Sequence, residues 1–214
     1  MPAALPGRAR RGAPPRSRPS SERAVVPERL VRPERGTGSA RQTDDVRFEL
    51  DPTRSSVTVH ASSSVHPITT EAPATGWLDV ALDADGRVDP EGPVAGRIEV
   101  ALGAMRSGNP LIDREAERRL HLRRHPTVTG TLTELVAEGD GYAGTGILDF
   151  HGVQRPLDGV LDLWADIDDG TLTLSGSTEL DVTDFDVQPP SLLVVKVHAR
   201  VRIELAAVAL PADT

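Results

Sequence analysis

His121 and His125, four residues apart, are the side chains in this chain whose type and spacing come nearest to doing chemistry. On a helix that spacing puts both rings on one face, where they could grip a zinc ion. Two features oppose it: Pro126 disfavours a helical conformation at His125, and no Glu lies between the two to act as a base. His60, His151 and His198 occupy polar positions of alternating runs, which predicts exposed rings. Other chemistries have even less support. The chain has no cysteine, no Gly-x-Ser-x-Gly elbow, no phosphate-cradling glycine loop and no dinucleotide fingerprint. Gly144-Thr145-Gly146 puts two glycines inside a strand-like run, where Gly marks a bend or a crowded interior. These residues predict no catalytic group, no metal and no cofactor; the expectation is a non-enzyme.

Alternation is what the chain has in abundance. From Leu193 to Leu205 apolar and polar residues exchange at almost every step, with Val194 the exception. Side chains alternate faces along a strand, so this segment has one dry side and one wet side. Similar runs carry Val57 and Val59, Leu78 to Leu82, Ile98 to Leu102, Leu148 and Phe150, Leu157 to Leu163, Leu172 and Leu174, then Leu180 and Val182. Asp-Ala-Asp-Gly at 83–86, Glu-Gly-Asp-Gly at 138–141 and Asp-Asp-Gly at 168–170 supply turns between them. The expected fold is all-β: an antiparallel barrel of eight or nine strands with one short helix, preferred over a sandwich because long two-faced strands suit closure. The inward phase nominates a lumen of Val57, Val59, Leu78, Val80, Ile98, Val100, Leu148, Phe150, Leu161, Leu163, Leu172, Leu174, Val195, Val197, Val201 and Ile203. Trp77 and Trp164 fall on the outward phase, where a helix or an interface would cover them, which leaves a homodimer open.

Charge divides the chain. Residues 1–42 hold ten Arg, three Glu and seven Pro, a net charge of +7 with no apolar periodicity, and read as a disordered arm. The whole chain is −8, so the remainder carries −15, which argues against nucleic acid as the partner of the folded part. The arm lacks the continuous apolar core of a secretory signal, and no apolar run reaches a membrane span of about 20 residues. A cytoplasmic protein is expected, with one domain over 43–210 and a short tail at 211–214. Of the 24 basic residues 23 are Arg, a bias that suits a GC-rich bacterial genome.

One segment breaks the alternation. Asn109 is suited to cap a helix, Pro110 to begin it, and Arg118 and Arg119 to end it. Ile112, Ala116 and Leu120 recur at four-residue spacing as a narrow apolar stripe. The spacing predicts a helix from about 110 to 122 that closes one barrel end, as a fixed plug or as a movable lid.

Several motifs, in order, resemble the YceI-like family. They are Asp51-Pro-Thr-Arg-Ser-Ser-Val-Thr-Val, Ser107-Gly-Asn with Asp113, His125-Pro-Thr-Val-Thr, Gly144-Thr-Gly-Ile-Leu-Asp-Phe-His-Gly-Val-Gln-Arg-Pro-Leu, and Asp184-Phe185 before the closing strand. The resemblance spans roughly 46–208 and implies a lipocalin-like barrel whose apolar lumen binds a polyisoprenoid or similar long-chain lipid without catalysis. Arg54 stands where typical members have His, and Leu120-His121-Leu122 stands where they are rich in Phe. Val65-His-Pro-Ile and Pro189-Pro-Ser-Leu-Leu look like a soluble actinobacterial branch. The alternative is a structural or interaction domain whose barrel is filled by its own side chains.

Overall fold

A computed structural model describes residues 44–212 apart from 84, 86, 167–169, 190, 193 and 194, with side chains left undescribed at 44, 162–166, 191, 192 and 195. The expected arm at 1–42, the turn at 168–169 and the side chains of Leu163, Trp164 and Val195 lie outside this set.

Ten strands form one antiparallel sheet: β1 (Asp44–Leu50), β2 (Ser56–Ser63), β3 (Ile68–Leu82), β4 (Val94–Ala101), β5 (Thr127–Glu138), β6 (Gly141–Phe150), β7 (Val153–Asp166), β8 (Thr171–Asp181), β9 (Ser191–Leu192) and β10 (Val195–Pro211). Each of β2 to β7 pairs with the next, and β10 pairs with both β8 and β2, which closes an eight-stranded barrel. Closure removes every free edge from the circuit. The long β3 borders β2 through its first half and β1 through its second, with β4 on its other side. Strands β1 and β2 are therefore one broken strand. Buried Ser55 holds the break against β10: its hydroxyl donates to the Val208 carbonyl and accepts from the Val208 amide, each at 3.2 Å. β10 runs through Pro211, the first residue of the expected tail, and the Ala212 amide donates to the Arg47 carbonyl.

The barrel has two ends. At the base β1 pairs with both β3 and β10, and Phe48 packs with Val80, Val88, Leu135, Leu172 and Ala209 into a solid core. Tyr142 donates its hydroxyl to the Val88 carbonyl at 2.9 Å, tying the 83–93 connection across that end. Burial raises the Tyr142 pKa above its ordinary value. At the mouth Leu102, Leu148, Phe150, Leu180, Phe185, Val187 and Val201 form a second cluster.

Between β4 and β5 lies the helix α1, Pro110–Arg119, slightly shorter than expected. Asn109 caps it by accepting from the Leu111 amide at 3.0 Å. Asp113 reaches back to accept from both the amide and the hydroxyl of Ser107, at 2.9 and 2.6 Å. Among the described residues no helix is long and apolar enough to cross a membrane.

Candidate functional site

Above the packed base the barrel is hollow. A cavity of about 430 Å³ runs from Leu78, Leu161 and Leu174 up to the mouth. Its wall is almost wholly aliphatic: Val57 and Val59 from β2, Ile98 and Val100 from β4, Leu148 and Phe150 from β6, with Val197, Val201 and Ile203 from β10. The volume lies in the roughly 300–1,000 Å³ range of small-molecule sites. A filled barrel therefore describes only the lower half.

Glycines make part of that space. Gly144 on β6 and Gly176 on β8 flank Leu161 of β7, and a Cβ at either position would fall 2.6 Å from a Leu161 methyl. Leu161 lies across these two niches and forms part of the cavity floor. Gly146 has another cause: a Cβ there would meet the Thr131 carbonyl oxygen at 2.3 Å, because β5 bulges toward it between Leu132 and Glu134.

Two nominated residues lie elsewhere. Val80 and Leu172 point inward as the alternation requires, but at 1% and 0% exposure they sit in the solid base and do not border the cavity. The reason is axial position: both lie at the level where β1 and Phe48 fill the barrel. Conversely, Leu132, Leu122, Ile68 and Val187 border the cavity and were not nominated. Leu132 escaped because the β5 bulge sets it three residues from inward-facing Leu135 and breaks the two-residue period. The other three belong to strand ends and connections, where no period applies.

The helix roofs the cavity. Ile112, Ala116 and Leu120 all border it, and α1 stands off from the strands, meeting the barrel through side chains. On the same helix Glu115 is buried, a placement its sequence position does not reveal. Arg118 donates to it through Nε and Nη2 at 3.0 and 2.6 Å, and Arg119 through Nε at 2.9 Å. Hydrogen bonds from Arg118 and then Arg119 hold its carboxyl below the usual glutamate value. Asp113, Glu117, Arg119 and His198 add polar groups to the edge of the cavity.

The expectation of an exposed, strand-borne His151 is overturned. His151 leaves β6 in the left-handed conformation (φ 55°), as does His121 beyond α1 (φ 48°). The rings of His121 and His125 lie 5.3 and 4.6 Å from that of His151. His151 Nδ1 faces the Phe185 carbonyl at 3.2 Å and its Nε2 faces His121 Nδ1 at 3.3 Å. A carbonyl only accepts, so His151 Nδ1 donates to it; in the neutral ring Nε2 is then the acceptor and His121 Nδ1 the donor. This relay ties the chain after α1 to the β6–β7 hairpin and to the 3-10 turn Val182–Phe185. Gly152 (φ 80°) completes the fit, since a Cβ there would meet the His125 ring at 2.9 Å. His60 is half-exposed instead, bridging Thr69 and Glu204. Among the described residues no three His, Cys, Asp or Glu side chains are placed to hold a metal ion.

The model of the YceI-like domain matches residues 48–209. No curated protein matches the chain. Among solved structures, BcnA of Burkholderia cenocepacia superposes with a TM-score of 0.62 at 15% identity, covering 74% of this chain and 98% of that one. A polyisoprenoid-binding domain from Saccharophagus degradans, implicated in plant cell wall breakdown, superposes with a TM-score of 0.60, also at 15% identity, over 78% and 99% of the two chains. At this identity the likeness is one of fold.

Proposed function

The chain belongs to the YceI-like family, and from that premise we propose that it binds and carries a long-chain apolar lipid of polyisoprenoid type in the upper half of its barrel. The observation that carries this is the aliphatic cavity of about 430 Å³ above a solid base. Each CH₂ transferred from water into such a wall contributes roughly 0.8 kcal/mol before association costs are met. The Saccharophagus domain is described by its polyisoprenoid binding, which supports the same ligand class here. The lumen residues Val57, Val59, Leu78, Ile98, Val100, Leu148, Phe150, Leu161, Leu174, Val197, Val201 and Ile203 would grip the chain by shape alone. Selectivity then follows the length and width of the cavity more than polar contacts. Ile112, Ala116 and Leu120 would close over the occupant, with α1 as the lid. Nothing in this role needs a nucleophile, a metal or a cofactor.

The test is native mass spectrometry of protein purified from its own host, followed by incubation with prenyl alcohols of increasing length. The expected result is one lipid per chain, with affinity rising until the chain outgrows the cavity. An apo mass that no prenyl alcohol shifts would leave a structural β-domain as the better description.

A further inference from the structure

We propose that the α1 side of the mouth docks on an anionic lipid bilayer. The first ground is charge segregation. Residues 106–125 contain six Arg against three acids, a net +3, while the rest of 43–214 is −18. Glu115 is already engaged by Arg118 and Arg119, and Asp113 by Ser107. Arg114, Arg123 and Arg124 have no side-chain hydrogen bond or ion pair among the described residues; they share a shallow groove with Arg118, His121 and Glu117. Unpaired guanidinium groups beside one another suit a surface of many negative charges.

The second ground is apolar. Among the described residues the two most exposed large hydrophobic side chains are Leu111, at 70%, and Val65, at 60%. Leu111 is on the first turn of α1, and Val65 is at the tip between β2 and β3. Both belong to the mouth end. The only Lys in the chain, Lys196, is also there, its amide bonded to the Ser64 hydroxyl. Basic residues flanking exposed apolar tips are the composition of a surface that seats in the headgroup layer.

The base supplies the orientation. Asp83, Asp85, Asp89, Glu91, Glu138 and Asp140 surround that end, with Arg87 the basic residue among them. An anionic surface repels the base and attracts α1. On the mouth itself Asp184 and Asp186 belong to the 3-10 turn that the histidine relay joins to the chain after α1, so contact is made along α1 away from that turn, with the barrel tilted. Nucleic acid shares the negative charge but has no use for Leu111 and Val65, and the patch offers no Phe, Tyr or Trp for bases to stack on. The cavity opens beside the docked helix, so a lipid chain could cross from bilayer to barrel without traversing water. Only that use rests on the carrier reading; the docking rests on the charge map.

The experiment uses the full chain and sedimentation with vesicles. Vesicles of phosphatidylglycerol with phosphatidylcholine should carry the protein down, phosphatidylcholine alone should not, and added salt should release it. Arg114→Glu/Arg123→Glu/Arg124→Glu should weaken binding by at least about 30-fold. The ten Arg of residues 1–42 are unchanged in that variant, so the difference reads the patch of Arg114, Arg123 and Arg124 alone. Independently, Leu111→Trp should be quenched by brominated lipid and Leu210→Trp, near the base, should not. Failure to sediment, equal sedimentation of wild type and triple variant, quenching at 210 instead of 111, or tighter binding to duplex DNA than to vesicles would each overturn the proposal. Uptake of a prenyl alcohol from solution needs no docking, so it separates failure here from failure of the carrier reading.

Discussion

The base and the mouth of this barrel are lined by the same kinds of side chain, yet one is solid and the other hollow. At the base Leu172, Val80 and Ala209 are sealed from solvent, because β1 completes the wall between β3 and β10 and adds Phe48 to the cluster they form. At the mouth Val59, Leu120 and Leu157 are only partly buried, because no residue occupies the space they face. Burial in the first place rewards packing; exposure in the second is tolerable only under a roof. A barrel can thus fold on its base and leave its upper half free for a ligand.

That contrast sets the expected order of mutational effects. Leu172→Ala opens a void among immobile neighbours and should cost about 2–5 kcal/mol, measured by urea unfolding. The same truncation at Leu157 removes atoms that already face empty space and should cost under about 1.5 kcal/mol. Equal losses at the two sites would erase the distinction between base and mouth. Leu120→Asp should fall between them, at about 1–3 kcal/mol, since the charge meets apolar surface but α1 can swing aside. Its sharper signature is faster hydrogen exchange across 110–119, with the strands unaffected.

Acid should act on the same helix, more gently. The Glu115 carboxyl is held below its ordinary value of 4.5 by Arg118 and Arg119. A carboxylate depressed in the folded state stabilises fully above the unfolded pKa and loses that contribution as pH falls through the folded one. Exchange in α1 should therefore quicken below about pH 4.5, ahead of global unfolding, and Glu115→Gln should make α1 loose already at pH 7. Glu204, lowered first by its hydrogen bond with His60, and Asp181, lowered by Thr183, work in the same direction on the barrel wall.

The strands were legible because their signal is local. A two-residue period survives wherever a strand runs straight, as along Val197 to Leu205. It fails at the β5 bulge, where Leu132 and Leu135 both face inward. Axial height is not written in any period, so Val80 and Leu172 looked equivalent to Val59 and Leu148 although β1 seals only the first two. The histidine relay was hidden for a related reason. His121 and His151 are thirty residues apart, and each must turn left-handed before their rings meet. No period marks Glu115 as buried, and only the return of two arginines to one carboxylate explains its burial.

The most direct measurement pairs stability with lipid uptake in Leu161→Trp and Val197→Trp. Both side chains border the cavity, and Leu161 also forms part of its floor. If the upper half is a lipid site, indole fills room that the ligand needs: Tm should move by only a few degrees, and binding of a prenyl alcohol should fall about tenfold or more. If that space is closed in solution, the added rings should overpack it by roughly 1–3 kcal/mol. Destabilised variants of a wild type that takes up no lipid would contradict the account.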